Sequence, residues 1–506
     1  MDKSRLTYVV LFHTAFASFG EIEANLLNYL TVPVRQFFAE SLRWRYGILP
    51  GSDQFEFVYS AVASIYFFGA ILGGLLMGPC MEYCGRRATA VYIRSFLGII
   101  SALCMLLSKW LTMIELFAIG HFIAGFIAAW KIALFIYLAE CAPDHSRGWA
   151  TAVIGSGSSL ALLFMAPLCL PSVFGTADLW WLLPALALLL AACHLCFAIR
   201  FPESPKHLFC GQRNAAHNCR ERVKLSIRFY HGSSTDVRMV MEQFELERRT
   251  DQPEARPMER LLEQHSLGIT LITTLVFAFS LTSLKSQYLE SMLMRYGLNQ
   301  TEAMISTMAM TALAAPFCFL SPVLIERWGR RPLFLLITLF STAELTLITG
   351  AQRMYDSAGG SVAAALLALA GCTMGQFSAN LGIFHMTPIL TGELIPTCCS
   401  CTHGSDQGCK IRINMFMASP LVILIVLAYP PLIGSLGALF FLPLALISAA
   451  MWCLMYRWMP ETKGLSVNTI FRRMAKLGVT NISETMPDDD LNDNEDEKLI
   501  PKNDLF

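Results

Sequence analysis

Glu82-Tyr83-Cys84-Gly85-Arg86-Arg87 returns in the second half of the chain as Glu326-Arg327-Trp328-Gly329-Arg330-Arg331. Two further motifs return at nearly the same offset. Glu140-Cys141-Ala142-Pro143 comes back as Glu393-Leu394-Ile395-Pro396, and Pro202-Glu203-Ser204-Pro205 as Pro460-Glu461-Thr462-Lys463. A duplicated half in a strongly apolar chain is the signature of a membrane transporter built from two related bundles.

Composition agrees. Of 506 residues, 55% are hydrophobic and 15% charged, where a soluble chain carries about 25% charged residues. Crossing the hydrocarbon takes about 20 apolar residues in a helix. Twelve stretches qualify, near 7–33, 57–80, 88–108, 112–139, 149–171, 178–200, 267–293, 302–325, 333–351, 361–391, 412–434 and 436–458. They lack the alternation of barrel strands, and only helices or closed barrels satisfy the backbone in lipid. The expected fold is an all-α membrane protein of twelve transmembrane helices in two pseudo-symmetric six-helix bundles. The expected division is a first bundle over 1–200, a linker with short helices over 201–266, a second bundle over 267–458 and an acidic tail over 459–506. The first span is too long for a signal peptide and lacks a small-residue cleavage site, so it is read as retained.

The net charge of zero hides an asymmetry. Lys3, Arg5, both Gly-Arg-Arg turns and the arginine-rich linker fall on one side of a twelve-span chain. By the positive-inside rule that side, with both termini, is cytosolic. Asn299-Gln300-Thr301 is a glycosylation acceptor in a loop expected outside. The linker predicts helices over Arg220–Tyr230 and Met239–Arg249. In the tail, Glu495 followed by Leu499-Ile500 fits an acidic dileucine signal that clathrin adaptors read as an extended peptide; a plain solvating tail fits equally. The destination is then the plasma membrane or an endosomal or lysosomal membrane. Sixteen cysteines are scattered, and the cluster Cys398, Cys399, Cys401 and Cys409 lacks the histidine spacing of a zinc site. No metal, cofactor or nucleic-acid partner is expected. No nucleophile–base set or phosphate loop points to an enzyme.

Glycine before two arginines turns the chain sharply while the guanidiniums stay at the water boundary. Glu82, Glu140, Glu203, Glu326, Glu393 and Glu461 lie at span ends within reach of Arg86, Arg87, Arg147, Arg330 and Arg331. Guanidinium–carboxylate pairs are directional, so the set reads as a gate network that breaks when the halves rock apart.

Gly85-Arg86-Arg87, Glu140 with Pro143 and Arg147-Gly148, Pro202-Glu203-Ser204-Pro205-Lys206, Gly329-Arg330-Arg331 and Pro460-Glu461-Thr462-Lys463-Gly464 resemble the sugar porter family of the major facilitator superfamily. Within it, the chain is similar to the animal facilitative glucose transporters. Arg45-Tyr46-Gly47 and Asp178-Leu179-Trp180 add to the likeness, which covers about 7–465. The resemblance implies a central substrate site, alternating access and a cytosolic charge network at these motifs. The chain departs from it where the family's sugar-binding amides belong. Aligned on Tyr288 and Gly297, those positions fall on Phe277, Ala278, Leu281 and Ser283, and near Gly155 in the fifth span. Where the family carries Pro-Trp in the tenth span the chain has Thr387 and Pro388, and no arginine follows Glu393 over 397–408.

Polar and charged residues stand instead in the spans that the resemblance places around the cavity. Glu21 and Asn25 share a face of the first span with Asn28, at i, i+4 and i+7. Glu23 points the other way. Lys131 lies in the fourth span, Thr282, Lys285 and Gln287 in the seventh, and Asn380 and His385 in the tenth. Ionisable residues in a span are costly and take a partner, and Glu21 with Lys285 or Lys131 is the expected pair. The sequence therefore predicts a transporter of a small polar, hexose-like solute by alternating access. The alternatives are an organic anion or other charged solute, with proton coupling as an option, or a sensor that does not transport.

Overall fold

The computed structural model describes residues 3–210, 217–232, 235–250, 272–276, 278–383, 406–459 and 461, and every element among them is a helix. The first half runs α1 (Lys3–Phe16), α2 (Phe19–Ala24), α3 (Leu26–Tyr29), α4 (Thr31–Tyr46), α5 (Asp53–Cys84), α6 (Ala88–Leu111), α7 (Ile114–Ala129), α8 (Lys131–Cys141), α9 (Asp144–Leu168) and α10 (Leu182–Ala198). The connecting segment holds α11 (Pro205–Cys210), α12 (His217–His231) and α13 (Val237–Thr250). The second half runs α14 (Thr282–Arg295), α15 (Gln300–Trp328), α16 (Arg330–Ala358), α17 (Val362–Gly382), α18 (Asp406–Leu436) and α19 (Ala438–Trp458).

Among the described residues, seven helical segments are long and apolar enough to cross a membrane, and three shorter apolar helices lie at Val153–Leu168, Leu182–Ala198 and Pro420–Leu436. The two expected spans left over, the first and the seventh, hold no described helix of that length and hydropathy. The chain is a multi-pass membrane protein. One boundary differs from expectation. Helix continues past the first span as α4, because Val34, Phe37, Phe38 and Leu42 keep a buried face at helical spacing. Gly47, at φ +66°, ends it, and Arg45 Nε donates to Thr112 O at 3.2 Å.

Lipid supplies no hydrophobic force between helices, so close approach depends on small residues. Gly69, Gly73 and Gly125 bring α5 against α7. A Cβ on Gly125 would stand 1.8 Å from Tyr66 O, and one on Gly69 2.0 Å from Phe122 O. Trp130 Nε1 closes this contact by donating to Gly73 O at 2.8 Å. The halves meet where α5 packs on α18, α9 on α15 and α3 on α14. An aromatic seam crosses there, with Tyr288 6.0 Å from Tyr59 and 5.4 Å from Tyr429 between ring centroids. In the connecting segment, α12 buries Val223, Ile227 and Tyr230 and turns its arginines outward.

Gly125→Ala is expected to destabilise the protein by at least the roughly 1–3 kcal/mol typical of overpacking. Gly434→Ala, where an added Cβ meets nothing within 4 Å, should leave the melting temperature in detergent unchanged. Equal melting of both variants would count against the α5–α7 packing.

Candidate functional site

Four symmetry-related spans are each interrupted part-way along. The first breaks at Ala17–Ser18, again at Asn25 (φ −102°, ψ 8°) and at Leu30 (φ −122°, ψ 35°). The fourth breaks at Trp130, the seventh at Ser280–Leu281, and the tenth relaxes into a wider turn over Ala379–Ile383 with Gly382 at φ +116°. Irregular backbone at membrane depth is tolerated only where protein or a water-filled cavity satisfies it. Arg94, buried in α6, does this for two of the breaks. Its Nη1 and Nη2 donate to Ala17 O at 3.2 and 3.1 Å, and its Nε donates to Ile127 O at 3.2 Å. The guanidinium also lies 4.6 Å over the Phe19 ring. A cation on the carbonyl end of a helix complements its dipole.

Polar side chains gather at the same breaks. Lys131 donates to the Glu21 carboxylate and to Ser158 Oγ, and Ser158 Oγ donates to Glu21 at 3.3 Å. Both charged side chains keep 18% and 19% of their surface exposed, so this pair borders an accessible space. Asn25 Nδ2 turns back to Glu21 O at 2.9 Å. Other contacts cross between the halves. Ser159 Oγ donates to Asn380 Oδ1 at 3.2 Å and lies 2.9 Å from Cys318 Sγ. His121 Nε2 lies 3.3 Å from Gln287 Oε1. Thr31 N donates to Glu290 Oε2 at 3.4 Å, while Glu290 N donates to Asn28 Oδ1 at 3.3 Å. Asn380 Nδ2 is buried without an acceptor among the described residues. Thr282 Oγ1 accepts from Ser280 Oγ at 3.2 Å.

Lys285 takes a different partner from the one expected. It pairs with Glu344 of α16, with side chains 5% and 1% exposed. Gly375 makes the room, since a Cβ there would stand 2.0 Å from Glu344 carboxyl atoms. Glu344 was missed by the sequence reading, although an acid in the middle of an apolar span is itself a signal. Ser158 and Ser159 carried no such signal, whereas Glu290, an acid inside the seventh expected span, did. His385 lies outside the described residues.

The duplicated motifs build the same device twice at one end of the bundles. Gly85 and Gly329 hold φ +93° and +96°, and a Cβ on either would come within 2.6 Å of Glu203 Oε2 or Glu461 Oε2. Glu203 accepts Arg87 N at 2.8 Å; Glu461 accepts Arg330 N at 2.9 Å and Arg331 N at 3.1 Å. Each carboxylate thus caps the amino end of the helix that begins after the glycine. Reciprocally, Arg87 Nη1 donates to Phe201 O at 2.6 Å, and Arg331 Nη2 to Tyr456 O at 2.9 Å. Arg86 makes the expected kind of pair, Nε to Glu140 Oε1 at 3.4 Å, and Ser204 Oγ donates to Glu140 Oε2 at 2.6 Å. Burial pushes the Glu203 carboxyl above its usual range, with the Arg87 and Ser204 N–H groups opposing. Burial, with Arg86 beside it, lowers His207 to about 4. Glu82 is exposed. Arg147 and Glu326 lie on α9 and α15, and Glu393 falls outside the described residues. These contacts each lie within one half, where the sequence reading expected pairs that part when the halves rock.

A family model, "Sugar (and other) transporter", matches residues 27–473. The chain belongs to the sugar (and other) transporter family. It is 22% identical over 486 residues to facilitated glucose transporter member 7 of Mus musculus, covering 93% of this chain and 92% of the relative. It is 22% identical over 501 residues to member 5 of Homo sapiens, covering 96% of each. Among solved structures, the proton:xylose symporter XylE bound to 6-bromo-6-deoxy-D-glucose superposes with a TM-score of 0.70 at 17% identity, over 94% of this chain and all of that one. The inward-open form of XylE from E. coli gives 0.69 at 16% identity, covering 92% and 99%. The fold is that of the major facilitator transporters, and the protein is not an enzyme.

Breaking the buried pair on one side, by Lys285→Met or Glu344→Leu, should cost about 3–5 kcal/mol, and the double variant should recover most of it. Double-mutant comparison of thermal stability in detergent measures this. Additive losses would contradict the pairing.

Proposed function

We infer that this transporter carries a hexose-like sugar between its two halves, at the polar junction formed by the first, fourth, fifth, seventh and tenth spans. The observation that carries the reading is charge balance. Both lysines on which an anion site would rest are already paired, Lys131 with Glu21 and Lys285 with Glu344. What spans the halves between them is largely uncharged: Ser159 with Asn380, and His121 with Gln287. Hydroxyls and amides of this kind recognise a neutral polyhydroxylated solute, because each unmatched donor or acceptor in a dry site costs affinity. The relatives' names, facilitated glucose transporters and a xylose symporter, fit the same solute class. The anion and sensor readings are not favoured by these comparisons.

Alternating access here means that the junction opens first to one side and then to the other as the halves rock. The helix-end clamps of Glu203, Arg87, Glu461 and Arg331 keep each half rigid while it moves. Asn25, Thr282 and His385 are proposed to join Glu21, Lys131, Gln287 and Asn380 around the solute; Lys285 acts through Glu344 as a support. We place the Gly-Arg-Arg turns, α12 and both termini in the cytosol, on the positive-inside argument. Asn299 then lies outside, exposed at the start of α15 in a capping box with Glu302, where it is proposed to carry a glycan. Glu495, Leu499 and Ile500 of the tail, outside the described residues, are proposed to meet clathrin adaptors. Glu21 is the group through which protons would couple.

Uptake of labelled glucose, fructose and xylose into proteoliposomes, with and without a pH gradient, tests the reading. Uptake of at least one of them should be saturable, and Asn380→Ala and Gln287→Ala should each raise KM about three- to tenfold, the value of one hydrogen bond. Uptake of a carboxylate but of no sugar would overturn it. Acceleration by a gradient in the wild type but not in Glu21→Gln would add proton coupling.

A further inference from the structure

A second recess lies far from the junction, at the end of the first half that carries the Gly-Arg-Arg turn. It encloses about 500 Å³ between α1, the end of α10 and α12, and is lined by Arg5, Tyr8, Phe197, Arg200, Phe201 and Phe229. Its lining sets two arginines among four aromatic rings. Arg5 lies 6.0 Å over the Phe229 ring, and Arg200 stands two residues past the end of α10 at Ala198. Neither guanidinium has a carboxylate partner among the described residues, whereas Arg35, Arg86 and Lys131 all do. Tyr8 and Phe197 are 62% and 52% exposed, so the apolar wall opens outward.

The neighbouring helix continues the pattern. On α12, Leu225 is exposed and stands at helical spacing from Arg222, Arg228 and Phe229. A helix that faces outward with an apolar residue between arginines suits the plane where headgroups meet acyl chains. The floor of the recess is fixed independently, because Phe201 O accepts from Arg87 and the Tyr230 hydroxyl donates to Pro202 O at 2.8 Å. The recess is therefore held open by bonds within the protein, with two arginines and exposed rings around its rim.

We propose that this recess binds the headgroup of an anionic membrane phospholipid. Arg5 and Arg200 hold the phosphate, and an acyl chain lies along Tyr8 and Phe197. Charge complementarity selects the occupant: a zwitterionic lipid brings no net charge to two unpaired arginines, and a soluble anion makes no use of the exposed rings.

Native mass spectrometry of the full chain, released from vesicles of phosphatidylcholine with one fifth phosphatidylserine, tests this. One phosphatidylserine per protein should be retained. The double variant Arg5→Gln/Arg200→Gln should weaken retention on the order of thirtyfold, from two arginines acting at an anionic headgroup. Arg5→Lys/Arg200→Lys should restore most of it, which separates loss of charge from misfolding. Arg43→Gln, at the far end of the first half, should retain the lipid as the wild type does. Equal retention by the Gln variant, or equal retention of phosphatidylcholine, overturns the proposal. So does retention that appears only after residues 484–506 are removed, which would assign the recess to the chain's own acidic tail.

Discussion

Inside a bilayer every backbone amide and carbonyl must find a partner within the protein, and this requirement governs where the chain can be irregular. The first, fourth, seventh and tenth spans are broken near their middles, and these breaks face the interior of the molecule. Arg94 shows what the requirement demands in practice. One guanidinium serves the carbonyls of Ala17 and Ile127, at breaks of two different spans. The polar side chains that could meet a solute stand beside these breaks, so one constraint supplies both the irregular backbone and the site.

Charge is handled in the same way. Unpaired ions in a span are expensive, and the two lysines of the inner spans are each balanced by an acid on a neighbouring helix of the same half. Among the described residues, the polar contacts that join the halves are hydrogen bonds such as Ser159 to Asn380, worth about 0.5–1.5 kcal/mol each when neutral. Strong bonds within a half and weak ones between halves are what a rocking transporter needs: two rigid bodies with a junction that re-forms. The duplicated motifs serve the first requirement. Glu203 and Glu461 hold helix starts, while Arg87 and Arg331 hold the carbonyl ends of the helices that follow in space.

Much of this was legible in the sequence. Duplicated motifs and twelve apolar runs specify the fold because period and spacing are local properties of the chain. The helices of the linker were visible for the same reason. Pairing was harder to read. Glu344 lies 59 residues after Lys285, and no periodicity links a residue to a partner on another helix. For Glu203 and Glu461 the sequence does not say whether a carboxylate near arginines accepts from the guanidinium or from the backbone, and the structure shows the backbone bonds. The breaks at Asn25 and Trp130 carry neither proline nor glycine, so nothing in the first or fourth span announced them. Gly382 in the tenth did offer such a signal.

Alternating access by two rigid halves around a sugar changes the distance between their Gly-Arg-Arg ends. Probes introduced as noncanonical amino acids at the exposed positions Tyr83 and Trp328 would report the distance between the two Gly-Arg-Arg ends in liposomes. At least two distances are expected, with populations that shift when a transported sugar is added. A single distance, unmoved by saturating sugar that is nevertheless taken up, would contradict it.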